Sequence, residues 1–544
     1  MRLGWLCIVL FPLLARAGDA PLQLAIGAAP GTQLLHLNQQ GVTSRGPLPA
    51  DLSAPLGSLW KLFVYAYLVD THKPEVGYTC KGQDRDEVYC CKAGERIERD
   101  QALTQSCGLY FSPDNLKLDA ADWRAYWQQR QAPLWLSDMA QLQPQQRVRV
   151  TELLQQLGRL PAQEQARRVL LDVMLHAPDG AALGALGSRL RVKTWSWLAD
   201  HDAQARQGGF AGWLVDGTPV WAGGVGTSQR ILKDYAQAVG SALPTPSPLD
   251  QGRCVQVQLF ARYPVRQVRS KASGQLVGAG ALRGDYEVQF ANGNRLPISS
   301  EGELFVGADG QLTARLSRED YVARVLDREA SAQPAEAAKA LAVTIRTYLL
   351  QTATRNGECL SISDSSASQR VAPRPASEGA QHIAAWTTDL VLAGSPVNYH
   401  SDKAGTDRLS WQHAVEQAGQ GLRYDAILAR AFPRASLSRW DQPTAACQAL
   451  GNGEEWLKKQ QRGWRERLQR EPGYVETSDF AVCQLSGGKP HVDRERQRIF
   501  VRGFYSLQDR LDLTHEYLHL AFAAHPNGQD ETYIEGLARH LLLE

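Results

Sequence analysis

Hydrophobic and polar positions follow different rhythms along this chain, and the places where the rhythm changes divide it. Ser58-Leu59-Trp60-Lys61 opens directly onto an unbroken apolar run at residues 62–68, which predicts a buried helix with Ser58 and Lys61 one turn apart on one face. Residues 209–217 and 220–224 read as two strands joined by a turn. A Pro-rich stretch at 240–248 marks a boundary. From Cys254 the period becomes two, with Val255, Val257 and Leu259 alternating with polar neighbours. Short strands are predicted at 287–290, 296–298 and 304–306. Helices follow at 316–330 and, after Pro334, at 336–348. The last hundred residues predict a basic amphipathic helix at 456–470, a strand at 496–504 and an apolar helix at 513–522. Asp530 is placed to cap a final helix with Ile534, Leu537, Ala538 and Leu541 on one face. The pattern predicts an α+β multidomain chain. Its parts are a segment at 1–17 and domains at 18–245, 250–435 and 440–544, the last small and mainly helical.

Composition changes this picture in two ways. A net charge of +2 and the absence of any Lys/Arg block give no electrostatic case for nucleic acid. Residues 1–17 combine Arg2, a dozen apolar residues at 3–14 and Ala15-Arg16-Ala17, the layout of a cleaved secretory signal. That run is too short for a membrane span, and none is expected after cleavage. A periplasmic or secreted location follows. Apart from Cys7 there remain Cys80, Cys90, Cys91, Cys107, Cys254, Cys359, Cys447 and Cys483. An even set in an exported chain permits disulfides of open connectivity. Cys80 with Cys90 or Cys91, bracketing a polar stretch, is the first pairing expected.

The apolar helix at 513–522 contains His515-Glu516-Tyr517-Leu518-His519. Residues four apart on a helix sit one above the other, so both imidazoles can aim at one zinc ion, with Glu516 placed to take a proton from water. The third ligand is open between two residues. Residues 533–538 (Tyr-Ile-Glu-Gly-Leu-Ala) resemble a helix of gluzincin metallopeptidases, which nominates Glu535. His525 stands at the metzincin offset, but Phe522 occupies the position where that family needs a glycine.

Two further resemblances concern the bacterial cell wall. Residues 102–111 (Ala-Leu-Thr-Gln-Ser-Cys-Gly-Leu-Tyr-Phe) resemble a segment of penicillin-binding proteins and serine β-lactamases, and Arg191-Val192-Lys193-Thr194-Trp195 stands where that family carries its Lys-Thr-Gly strand. The resemblance implies an antiparallel sheet flanked by helices. It makes Ser58 the nucleophile, Lys61 its base and Ser106 a proton relay, with Lys193 and Thr194 holding a substrate carboxylate. Gly108 and Trp195 depart from the pattern, the first removing an amide and the second crowding the groove.

Residues 319–348 (Glu-Asp-Tyr-Val … Glu329 … Ala-Val-Thr-Ile-Arg-Thr-Tyr) resemble the amidase-enhancer domain of the stage II sporulation protein D type. Residues 399–406, beginning Tyr-His-Ser, resemble its loop. By that resemblance the domain binds or cleaves peptidoglycan glycan strands as a lytic transglycosylase. Glu329 is then the general acid, and Arg346, Tyr348, His400 and Ser401 contact the sugars. Residues 359–367 lack the His-Cys-Gln element expected there. The combined expectation is an exported, zinc-dependent, peptidase-type hydrolase acting on peptidoglycan or periplasmic peptide. The alternative is a degenerate scaffold or defence factor that binds the same material.

Overall fold

The computed structural model describes residues 21–82, 90–91, 93–177, 180–198, 206–246, 254–366, 368–405, 407–443, 447–485, 490–494 and 497–543. The expected signal at 1–17 and the end of the Pro-rich boundary lie outside them. Among the described residues no helix is long and apolar enough to cross a membrane.

The first part is built on a six-stranded antiparallel sheet. Its order is Gly41–Pro47, Gln33–Asn38, Leu22–Ile26, Pro219–Val225, Arg206–Leu214 and Leu190–Leu198. Period-two alternation sends Leu24, Val192, Phe210 and Ala222 to one face, and Ala25, Ala211, Trp213 and Trp221 to the other. Helices cover both faces of the sheet's central strands Pro219–Val225 and Arg206–Leu214, which are buried and mostly apolar over most of their length. The buried helix Trp60–Asp70 lies in one of those layers. Gly209 is required where it stands, because a Cβ there would lie 1.9 Å from the Ala222 carbonyl oxygen.

The middle part joins a mixed six-stranded sheet to a helical layer. The sheet runs Gly280–Ala281, Leu304–Val306, Leu312–Ser317, Cys254–Gln258, Cys359–Ser363 and Thr354–Asn356. A three-stranded sheet (Val265–Ser270, Gly284–Phe290, Arg295–Ser300) adds to it. The Ser317 hydroxyl caps helix Arg318–Glu329 through the Asp320 amide, and helix Ala335–Thr352 packs beside it. The first two parts share one apolar core. An ion network crosses their boundary: Arg191 meets Asp389 at 3.0 Å, Asp389 also pairs with Arg318, and Arg318 and Arg346 both reach Glu319.

The C-terminal part is mainly helical, and it adds a sheet of which only the strand at 496–504 is expected from sequence. It carries a four-stranded sheet, ordered Gln448–Ala449, Ala481–Gln484, Arg498–Val501 and His491–Asp493, under helices Gly451–Leu468, Leu507–Ala521 and Glu531–Leu543. Of these strands only Arg498–Val501 falls within a predicted one, at 496–504; the other three show too few alternations to be read from sequence. Arg498–Val501 is also interior to the sheet. It packs against helix Leu507–Ala521, as does the edge strand His491–Asp493. Four disulfides pair Cys80 with Cys91, Cys90 with Cys107, Cys254 with Cys359 and Cys447 with Cys483.

Candidate functional site

Helix Leu507–Ala521 begins with a reciprocal cap between Ser506 and Asp509. The cap fixes the helix phase, and His515 and His519 fall on one face. Their Nε2 atoms lie 3.0 Å apart. His519 is held by its other nitrogen, Nδ1, 2.9 Å from the Gly528 carbonyl oxygen, which leaves Nε2 as the free lone pair. The carboxylate facing this pair is Glu531, 3.2 Å from His515 Nε2 and 3.5 Å from His519 Nε2. One ligand atom from each of the three lies within 4.8 Å of the others. Two imidazole nitrogens and a carboxylate suit a zinc ion.

Glu535 occupies a different place from the one the sequence suggested. Its Oε2 lies 3.1 Å from His515 Nδ1, on the opposite side of that ring, and its other oxygen accepts from Arg539 at 2.7 Å. The reason is helical geometry: Glu531 and Glu535 are one turn apart, and the Asp530 cap sets the helix so that the first turn faces the Nε2 atoms. Glu535 therefore orients a histidine and Glu531 completes the cluster. His525 is excluded from it, since its ring packs on Gly473 and its Nδ1 caps the Pro526–Gln529 turn through the Asn527 amide. Glu516 is buried beside this cluster. Burial first, then the charges of Glu531 and Asp512, push its carboxyl up to about 7.

The serine site is assembled but differently wired. Ser58 donates to the Thr194 carbonyl oxygen at 2.7 Å, and Lys193 Nζ lies 3.5 Å from Ser58 Oγ. Lys61 donates to Ser106, 2.5 Å to its carbonyl oxygen and 3.5 Å to its hydroxyl. Lys193 is wholly buried, and burial together with the Lys61 charge holds its ammonium pKa well below the ordinary value. A lysine sealed in this way is not available to grip a substrate carboxylate, contrary to the role the resemblance implied. Trp195 is 2 % exposed and its indole is stacked on Trp221 in the core.

Around Glu329 the structure gathers residues the sequence did not nominate. Arg370 donates to its carboxylate three times, from the backbone amide, Nε and Nη2, at 2.9–3.0 Å. Tyr399 directs its hydroxyl to the Glu329 carbonyl oxygen at 3.4 Å. Burial and the Glu329 charge push that phenol up to about 12, so it remains a donor at neutral pH. Gln369 is buried between the Tyr321 hydroxyl and the Ile345 carbonyl. Arg346, expected to cradle sugar, is fully buried and bonds to Glu319, Leu390 O and Ala384 O; it is a core ion pair. Tyr348 is partly buried against the same core. Ser401 is exposed, and the backbone of His400 pairs with Ser410 in a two-stranded sheet. The His400 side chain lies outside what the structure describes.

A multidomain α+β chain with an ordered cell-wall-type middle module is the class these features define. Residues 308–417 match the model of the stage II sporulation protein family, and residues 82–204 and 407–527 match that of "Predicted secreted protein (DUF2300)". The chain is 52 % identical over 547 residues to "Uncharacterized protein YfaQ" of Escherichia coli (strain K12), covering 100 % of this chain and 99 % of that one. It belongs to the DUF2300 family of predicted secreted proteins. The exported location expected from residues 1–17 agrees with that description. Among solved structures, class D β-lactamases from Sebaldella termitidis and Bacillus subtilis are similar at 11 % and 14 % identity. They cover 41 % and 40 % of this chain and 89 % of each of those chains, each at a TM-score of 0.27. That is a weak likeness of fold over part of the chain.

Proposed function

We propose that the chain is an exported peptidoglycan-associated hydrolase with a zinc-dependent, peptidase-type site in its C-terminal part and a glycan-binding or glycan-cleaving site in its middle part. The convergence of His515 Nε2, His519 Nε2 and the Glu531 carboxylate carries this reading. A zinc ion bound there supplies Lewis acidity toward a peptide carbonyl. His515 and His519 would hold the ion with Glu531 as the carboxylate ligand, and Glu535 and the Gly528 carbonyl fix the two rings. Glu516 takes the proton of the attacking water and returns it to the leaving amine. In the middle part Glu329 protonates the glycosidic oxygen as the bond to C1 breaks. The sugar's C6 hydroxyl then attacks C1 and its proton returns to Glu329, as the sporulation-protein resemblance implies.

The test is zymography on purified peptidoglycan with Glu516→Gln and Glu329→Gln variants. Loss of peptide release in the first and of glycan release in the second is expected. Unchanged activity in both would sink the proposal.

A second reading, a non-catalytic scaffold that binds cell-wall material, draws support from the serine site. Burial of Lys193 and the Trp195–Trp221 stack both argue against acyl transfer at Ser58. It predicts that peptidoglycan pulls the protein down while neither peptide nor glycan is released.

A further inference from the structure

Each imidazole of the C-terminal cluster is held from behind by an acceptor, and each acceptor is itself gripped by an arginine. His515 Nδ1 meets Glu535, whose other oxygen accepts from Arg539 at 2.7 Å. His519 Nδ1 meets the Gly528 carbonyl oxygen at 2.9 Å. That same oxygen accepts from Arg494 Nη2, also at 2.9 Å. A carbonyl oxygen has two lone pairs and serves both donors. Since a carbonyl only accepts, His519 carries its ring proton on Nδ1.

The turn Pro526–Gln529, which carries Gly528, lies directly on the end of helix Leu507–Ala521. A Cβ on Gly528 would fall 2.2 Å from the Phe522 carbonyl oxygen, so only glycine allows that approach. The Gly528 amide donates to the His525 carbonyl oxygen at 3.0 Å. Arg494 ties this turn to the sheet. It stands one residue beyond the edge strand His491–Asp493, which pairs with Arg498–Val501. Its guanidinium also lies against the side-chain amide of Gln529. One planar fork thus meets two consecutive residues of the turn, which the compact ammonium of a lysine does not match.

We infer that Arg494 is a positioning residue of the zinc site. It anchors the Gly528 carbonyl and so keeps the proton of His519 on Nδ1 and the lone pair on Nε2, toward His515 and Glu531. The inference rests on the reading of His515, His519 and Glu531 as zinc ligands. A ring free to move its proton between the two nitrogens presents the lone pair only part of the time, and zinc affinity falls accordingly.

The experiment is nitrogen NMR of the full chain, isotope-labelled in histidine and freed of metal, under mildly alkaline conditions where imidazole is neutral. Zinc titration against a chromophoric chelator follows on the same samples. Wild type is expected to show His519 protonated at Nδ1 alone. Arg494→Gln is expected to show both tautomers and to bind zinc about tenfold more weakly. Arg494→Lys keeps one donor and is expected to recover the wild-type tautomer and most of the affinity, a rescue that a general loss of packing would not give. A wild-type tautomer in Arg494→Gln overturns the inference, as does wild-type zinc affinity there or an equal loss in Arg494→Lys. If zinc binds none of the three proteins while the tautomers shift as expected, the zinc reading falls and the anchoring of His519 by Arg494 stands.

Discussion

Arg346 separates a structural from a substrate-binding role most cleanly. Its guanidinium is wholly buried, with Nη2 2.5 Å from Glu319 Oε2 and Nη1 2.9 Å from the Leu390 carbonyl oxygen. Removing one partner of a buried pair costs about 3–5 kcal/mol, because the charge left behind is desolvated and unpaired. Glu319 keeps the Arg318 Nε contact at 2.9 Å, so the lower end applies to Arg346→Ala, about 3 kcal/mol. With a urea dependence of about 3 kcal/mol per molar, that is a fall of about 1 M in the unfolding midpoint. Tryptophan fluorescence in urea gives the assay. The paired change Arg346→Met with Glu319→Leu should recover part of the loss, since it removes two buried charges while Arg318 keeps Asp389 as its partner. A midpoint within 0.2 M of wild type, on the order of the error of such measurements, together with lost glycan binding, would refute the structural assignment.

Other consequences are open to equally direct measurement. Burial alone would raise the Asp389 carboxyl, but Arg318, Arg191 and Arg346 outweigh it and hold it down to about 2. A depressed acid stabilises the fold fully above its unfolded value near 4 and loses that contribution as pH falls toward 2. Asp389→Asn, an amide tolerant of the left-handed backbone at this position (φ 66°), should flatten the dependence of stability on pH between 5 and 2. An unaltered dependence would contradict the network. Glu535→Gln should weaken zinc affinity by about 10- to 100-fold while leaving one ion per chain at saturation, the behaviour of a residue that orients a ligand. Glu531→Gln should weaken it more, and the reverse order would exchange their roles. Labelled penicillin should leave no adduct on Ser58 under denaturing electrophoresis, and a band abolished by Ser58→Ala would overturn the description of that site.

Sequence pattern read the elements well where a long period was present. The helices around Glu329 and Arg346, the hairpin at 206–225 and the Asp530 cap were legible because each repeats a local rule several times over. What failed was everything decided by long-range packing. Arg346 carries the same residue type in a sugar groove as in a core, and only the position of Glu319, 27 residues earlier on a neighbouring helix, makes it internal. Arg370 gave no signal because its partner is 41 residues away and lies outside any motif. Glu531, one turn from the nominated Glu535 on the same helix, faces the two Nε2 atoms, a placement that residue type alone did not distinguish. The three-residue strand His491–Asp493 was too short for alternation to register.

The central claim is that the C-terminal part holds zinc through His515, His519 and Glu531. The most direct measurement is metal analysis of purified wild-type protein beside His515→Ala and His519→Ala, each dialysed against zinc-containing and then zinc-free buffer. One zinc per chain in wild type and none in either variant is the predicted result. Equal zinc in all three, or none in wild type, would contradict it.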